Sequence, residues 1–206
     1  MHFAVIGTTL GLVCAGTITS HAATINFDAL ADGDSVTTQY PGLTFANTIV
    51  LSAGISLNEF EFPPHSGSNV VSDNGGPIAI AFSTPVTSVS GFFTYLVPLN
   101  LTGYDASNNP VATAASAFQS NLALSGDPGS SPNEPLILVF ASGISRVTMQ
   151  GGSGGGSFVL DDLSYSPVAS SGVPEPSTGL LAACALLCAA AARSAATPRD
   201  ARERKP

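Results

Sequence analysis

The chain has 206 residues and a formal net charge of −8, with 10% charged residues, 21 glycines and 15 prolines. A soluble domain usually has about 25% charged residues, so this composition argues against a bundle of helices with charged surfaces. Residues 24–172 contain eleven Asp and Glu but one basic residue, Arg146, which gives a net charge of −10. Because phosphate contacts require Lys and Arg, this charge argues against nucleic-acid binding.

Residues 1–22 predict a secretory signal peptide. An apolar stretch over residues 3–16 is followed by small and polar residues. Ser20 and Ala22 occupy the −3 and −1 positions for cleavage after Ala22 by signal peptidase. The sequence therefore predicts export, and the alternative is that this stretch is a buried strand or helix of the domain that follows.

Residues 23–166 predict one all-β domain. They contain short apolar or alternating runs separated by Gly, Pro, Asn and Asp, without a long helical pattern. Short strands at this spacing indicate an antiparallel β-sandwich, and turn formers at 105–110 predict a hairpin. The predicted strands cover residues 24–27, 42–45, 48–51, 55–62, 78–82, 86–95, 99–104, 111–115, 136–140, 144–149 and 157–163.

Residues 167–172 predict a short flexible linker, because they are mostly small and polar. Residues 173–206 predict a sorting signal made of a polar motif, an apolar helix and a basic tail. The motif consists of Val173, Pro174, Glu175 and Pro176.

The apolar segment over residues 179–192 is rich in Ala and Leu, which are strong helix formers. Fourteen residues give about 21 Å of helix, and snorkelling by Arg193 reduces the mismatch with a bilayer core of about 30 Å. The basic tail, residues 193–206, is expected to stay cytoplasmic and to leave the acidic domain outside. All three cysteines lie in the apolar end segments, so residues 24–172 have no thiol for a disulfide, a zinc site or a nucleophile.

The order of Pro174, Glu175 and Pro176, an apolar helix and a basic end resembles the PEP-CTERM sorting signal of exported bacterial proteins. The resemblance implies recognition by an exosortase, a membrane enzyme thought to cut near the Pro-Glu-Pro motif, in bacteria that make exopolysaccharide. The protein would be anchored in the inner membrane before sorting and would then reach the cell surface or the extracellular space. The alternative is an ordinary membrane anchor.

The middle of the chain resembles the jelly-roll ectodomains common among PEP-CTERM proteins. The resemblance implies a jelly-roll-like sandwich, and some related domains bind sugars, often with a structural calcium. The matching segments are residues 25–28, 40–45, 78–86, 104–111, 143–147 and 158–163.

A calcium site is the more specific chemical hypothesis for this domain. Asp28, Asp32 and Asp34 follow the first predicted strand, and Asp161 and Asp162 end the last one. In a jelly roll the first and last strands often lie together, and converging carboxylates would suit Ca²⁺. Asp28 and Asp162 are the preferred candidates, and the alternative is that these acids are solvated turn residues.

Groups suited to catalysis are scarce in residues 23–166, so we predict no catalytic residue. Glu59 and Glu61 on one face of a strand would lie about 7 Å apart, a separation that could suit a glycoside hydrolase, but amphipathic alternation with Phe60 and Phe62 on the opposite face explains the pattern. The single His of this region, His65, is expected to be an exposed loop residue. The Gly-rich run 151–156 lacks a following Lys and helix, so it predicts a flexible hairpin loop rather than a phosphate site.

The sequence thus predicts an exported, non-enzymatic surface or matrix protein in an exopolysaccharide setting, with signal peptidase, an exosortase-like enzyme and the membrane as partners. The first alternative is a carbohydrate-binding module stabilised by calcium. The absence of Trp weakens it, because sugar platforms favour flat aromatic surfaces. The second alternative is a carboxylate-based glycoside hydrolase.

Overall fold

A computed structural model describes residues 22–168, which form nine β-strands and contain no helix. Within these residues there is accordingly no helix that is long and apolar enough to cross a membrane. The predicted signal peptide and the sorting signal lie outside the described residues. The strands are β1 Ala23–Ile25, β2 Leu43–Ala46, β3 Thr48–Ser52, β4 Asn69–Asn74, β5 Ile78–Tyr95, β6 Asn100–Tyr104, β7 Pro110–Ala115, β8 Glu134–Gln150 and β9 Gly155–Pro167.

All strand pairs are antiparallel, and the strand order is β3-β4-β9-β5-β8-β6-β7. In addition, β1 pairs with β9 and β2 pairs with β5. The long strands β5 and β8 pair with each other along most of their lengths and so join two halves of the sheet. The first half of β5 borders β2, whereas its second half borders β9. The all-β antiparallel class predicted from the sequence is confirmed.

One hydrophobic core contains residues from both halves of the sheet, which is the arrangement of a sandwich. From one half come Ile80, Leu101 and Val147, and from the other Phe93 and Leu160, all buried. Burial alternates along the first half of β5, as expected for a strand with one buried face.

The long strands merge pairs of predicted strands. The predicted strands 78–82 and 86–95 form β5, and 136–140 and 144–149 form β8. The β5–β8 register shifts near Val86, which identifies a bulge. Here Gly143 has φ +105°, and a Cβ at this position would lie 2.8 Å from Cβ of Pro85, so the close approach of the two strands requires glycine.

The predicted strand over residues 55–62 is wrong. Leu57 and Phe62 of this segment pack on Val70 and Val159, whereas Phe60 is 71% exposed. The apolar residues therefore do not share the face of a strand, and the segment folds as turns over the outside of β4 and β9. Strand β4 was not predicted, and its polar residues Asn69, Ser72 and Asp73 are buried.

The predicted hairpin between β6 and β7 is confirmed, with Tyr104 opposite Pro110. The hairpin predicted at residues 151–156 is wrong, because β8 and β9 are not paired and β5 lies between them. The Gly-rich turn instead connects two non-adjacent strands, and the Ser157 hydroxyl accepts a hydrogen bond from Gly152 N at 2.7 Å. Strand β9 continues to Pro167, the first residue of the predicted linker, which lies opposite Val86.

Candidate functional site

The residues predicted to bind calcium lie around one loop, residues 63–69, which we call the latched loop. Strand β1 pairs with β9, with Ile25 opposite Leu163, so the predicted proximity of the first and last strands is confirmed. This pairing places Asp28 after β1 and Asp161 and Asp162 of β9 close to the same loop. All three carboxylates accept hydrogen bonds from it.

Asp161 is the buried member of the three, with 1% of its surface exposed. Its Oδ2 accepts hydrogen bonds from the backbone N–H groups of His65 and Ser66, both at 2.8 Å, and its Oδ1 accepts one from Asp162 N at 2.7 Å. Burial raises the pKa of Asp161, and the N–H donors oppose that shift. The carboxylate therefore fixes the start of the latched loop on β9 through Oδ2, while Oδ1 accepts the N–H of the next residue of β9.

Asp162 binds the side chains of the same two loop residues. Its Oδ2 lies 2.6 Å from Nδ1 of His65, and its Oδ1 accepts a hydrogen bond from the Ser66 hydroxyl at 2.9 Å. The His65 ring stacks on Phe92 with a centroid distance of 3.5 Å and an interplanar angle of 7°. His65 is an exposed loop residue as predicted, but the prediction missed its pairing and its stacking. The nearby hydroxyl of Ser66 is bonded to Asp162, not to the His65 ring, so these residues do not form a nucleophile–base pair.

Asp28 holds the other end of the latched loop. Its Oδ1 accepts hydrogen bonds from Ser68 N at 2.9 Å and from Asn69 N at 3.0 Å. A Cβ at Gly67 would lie 1.9 Å from Oδ2 of Asp28, so only glycine allows the loop to approach this carboxylate. The Asn69 side chain donates in turn to the carbonyl oxygen of Leu30 at 2.8 Å, which ties the loop to the turn after β1.

A calcium ion takes six to eight oxygen ligands, so the carboxylate oxygens of these acids would have to be available to it. Both oxygens of Asp161 and of Asp162, and one oxygen of Asp28, already accept hydrogen bonds. Asp32 accepts a hydrogen bond from Ser52 N at the end of β3, and Asp34 accepts one from Ala31 N. No group of three His, Cys, Asp or Glu side chains within residues 22–168 is placed to hold a metal ion. As arranged, these carboxylate oxygens therefore do not fit a calcium ion. The calcium site remains a prediction from the sequence alone.

Most of the acids in this cation-poor domain accept hydrogen bonds from backbone N–H groups. Nine of the eleven acids of the described residues accept at least one backbone N–H, often as an anchor between distant segments. The buried Asp73 is an example, because it accepts from the N–H groups of Ser157 and Phe158 on β9. The acidic composition thus reflects an arrangement in which carboxylates hold loops and strands together.

Glu61 is one of these anchors. Its Oε2 accepts hydrogen bonds from Leu124 N at 3.0 Å and Ser125 N at 3.2 Å, and these bonds, chiefly the one from Leu124, lower its pKa. Because residues 55–62 are not a strand, the expected side-by-side placement of Glu59 and Glu61 on a strand face is absent. The Glu61 carboxylate joins two loops.

A shallow groove of about 380 Å³ lies at the edge formed by β2 and the first half of β5. Its walls combine the aromatic residues Tyr40 and Phe82 with hydroxyl side chains and contain no charged residue. Tyr40 packs edge-on against Phe27, and its own hydroxyl is buried without a hydrogen-bond partner. The residues that line the groove are Thr38, Tyr40, Pro41, Gly42, Leu43, Thr44, Ala81, Phe82 and Ser83.

Comparisons with known proteins find no matching family model and no matching curated protein. Solved structures resemble the chain weakly. The K2 cleaved adhesin domain of Lys-gingipain is 15% identical, with a TM-score of 0.45 over 70% of this chain and 99% of that one. The K1 cleaved adhesin domain of Lys-gingipain from Porphyromonas gingivalis is 8% identical, with a TM-score of 0.44 over 70% and 97%. A DUF4465 family protein from Bacteroides caccae is 9% identical, with a TM-score of 0.41 over 70% and 98%. Likeness at this level carries no argument about function.

Proposed function

We propose that this chain is an exported, non-enzymatic surface or matrix protein that is sorted through its PEP-CTERM-like segment. The observation that carries the proposal is the order of Pro174, Glu175 and Pro176, the apolar residues 179–192 and then Arg193. The apolar residues 3–16 support export, and the cysteine-free, antiparallel β domain between the two segments is compatible with a surface module.

The arrangement of charged groups supports a binding or structural role over catalysis. His65 is paired with Asp162 and stacked on Phe92, and the carboxylates of Glu61 and Asp161 are used as hydrogen-bond acceptors. A general acid or base needs to reach a substrate proton, and these groups hold the protein's own backbone instead.

Localisation in the native host tests the sorting proposal. Replacing Pro174, Glu175 and Pro176 together with Ala should keep the protein in the membrane fraction, whereas the wild-type chain should reach the cell surface or the medium. A matched control replaces Ser170 and Ser171 with Ala in the predicted linker and should be sorted normally. Normal sorting of the triple variant would contradict the proposal.

Carbohydrate binding is the second candidate function, and the groove beside Tyr40 is the observation that favours it. An uncharged groove with two aromatic residues and several hydroxyls suits a neutral sugar better than an anionic one, since the domain has no Lys to attract an anion. On a glycan array, Thr38→Ala and Thr44→Ala should weaken any response, whereas Thr113→Ala on β7 should not. A flat response of the wild-type protein to neutral glycans would contradict this function.

A further inference from the structure

The first part of β8, residues 134–140, forms an open edge of the sheet. In this part β8 pairs with β5 alone, and its partner strand β6 is reached further along, at residues 146–150. Within residues 22–168, no loop donates or accepts a backbone hydrogen bond along residues 135–142. An open edge of this kind can pair with another strand.

The hydrogen bonds of β5 show which residues of β8 face the open side. Leu96 N donates to Ser157 O of β9, whereas the preceding residue, Tyr95, exchanges hydrogen bonds with Asn121 on the opposite side. Alternate residues of a strand direct their N–H and C=O groups to opposite neighbours, so Gly91 and Val89, in phase with Tyr95, face β8.

The β5–β8 register then assigns the residues of β8. Leu136 lies opposite Gly91 and Leu138 opposite Val89, so these two leucines direct their backbone groups to β5. Ile137 and Val139 therefore direct their N–H and C=O groups to the open side. Pro135 has the same phase, and its lack of an N–H costs no hydrogen bond within the sheet.

The exposed side chains of this edge are apolar. Ile137 is 57% exposed and Val139 is 64% exposed, and both lie on the outer face of the sheet. The edges of β2 and β3 are better covered, because Gly33 N and Val36 N donate to the carbonyls of β3 and Phe45 N of β2 donates to Thr37 O. The open, apolar and unprotected edge of β8 is thus distinct from the edges of β2 and β3.

We propose that this edge pairs with the same edge of a second copy of the chain in an antiparallel, two-fold-symmetric dimer. Residues 135–145 contain no charged side chain, so two copies can pair here without juxtaposing like charges, although each domain has a net charge of −10. With Leu138 on the two-fold axis, Ile137 faces Val139 of the second copy. Both residues then gain backbone hydrogen bonds, and their side chains form apolar cross-strand pairs.

The ionic strength distinguishes this dimer from one held by ion pairs. Two domains of like charge repel each other over about a Debye length, so added salt should strengthen the pairing. An association that weakens as salt is added would contradict a neutral edge-to-edge contact.

Sedimentation velocity of the full chain in a density-matched detergent tests the dimer. Ile137→Pro removes an N–H that faces the open side, so the fold should keep its melting temperature while the dimer Kd rises by about tenfold or more. Ile55→Lys, at another exposed apolar residue, is the matched control and should keep the wild-type Kd. If Ile137→Pro does not fold, Val139→Lys replaces it, with the same expected loss of pairing.

A wild-type chain that is monomeric at its highest soluble concentration and at high salt would overturn the proposal, even if it captured an extended peptide of another protein. So would an Ile137→Pro or Val139→Lys variant that associates as the wild type does. The dimer deepens the proposed role in a surface or matrix layer. Its failure would leave the sorting proposal untouched, because sorting is measured through residues 174–176.

Discussion

Nδ1 of His65 lies 2.6 Å from Oδ2 of Asp162, although the two residues are 97 positions apart in the sequence. This contact and the hydrogen bonds of Asp161 hold one end of the latched loop against the last strand, and Asp28 holds the other end. The acids that suggested a metal site thereby form hydrogen bonds within the chain itself.

Asp161→Asn should destabilise the domain by about 1–3 kcal/mol, as expected when a buried polar partner is lost. Both oxygens of Asp161 accept N–H bonds, so the amide nitrogen of Asn must face a donor. Chemical denaturation measures the change. Asp34→Asn is the matched control with little expected effect, since Asp34 accepts one N–H through one oxygen, which Asn retains. Equal stability of the two variants would contradict a latch role for Asp161.

Tyr95→Phe should cost about 1.5–3 kcal/mol, because the Tyr95 hydroxyl donates to the Glu134 carboxylate within the structure. Burial, followed by this hydrogen bond and the charge of Glu134, raises the pKa of Tyr95 from 10.0 to about 12. The stability from this pair is therefore complete below about pH 10 and is lost as the pH rises through about 12. Alkaline denaturation should show this loss in the wild type but not in Tyr95→Phe. Tyr104→Phe should still show the alkaline loss of stability. A Tyr104→Phe variant that does not show it would argue against assigning this loss to Tyr95.

Glu61→Gln should loosen the loop around residues 122–125, because the charged acceptor of two N–H groups is lost. Hydrogen exchange at Leu124 and Ser125 measures the effect, with Glu59→Gln as the control. The pKa of Glu61 is lowered below 4.5 mainly by the N–H of Leu124, so its contribution is present above pH 4.5 and is lost as the pH falls below it. In Glu61→Gln the exchange of these amides should no longer change over that acidic range. Unchanged protection in the variant would contradict the role of Glu61 as an anchor.

Calcium at millimolar concentration should leave the melting temperature unchanged, because the oxygens of Asp161 and Asp162 and one oxygen of Asp28 already accept hydrogen bonds. Thermal melting with and without Ca²⁺ measures this. A clear rise that disappears in Asp28→Asn would show that the loop rearranges to bind calcium, and it would restore the sequence-based hypothesis.

The sequence predicts those strands in which apolar residues alternate on one face, such as Ile78, Ile80 and Phe82 of β5. The same alternation wrongly predicts a strand over residues 55–62, where Leu57 and Phe62 pack inward from turns. Strand β4 is not predicted from the sequence, because its buried polar residues contact partners that are distant in the sequence. An example is the contact of Asp73 with Ser157. Local composition does not contain that information.

The candidate site is predictable only in part for a similar reason. The proximity of Asp28 and Asp162 follows from the pairing of the first and last strands, which a sandwich favours. The role of His65 depends on the path of the latched loop across Phe92, and the alternation pattern says nothing about that path. The adjacent Asp161 and Asp162, which directly follow the apolar run of residues 158–160, are the one signal in the sequence that points to this region.

The most direct test of the central claim is the intact mass of the protein isolated from its native host. Sorting through the PEP-CTERM-like segment predicts a chain that lacks residues 1–22 and ends near Pro174, Glu175 and Pro176, so that the apolar residues 179–192 are absent. A mass that retains the tail beyond Ser177 would contradict sorting by cleavage.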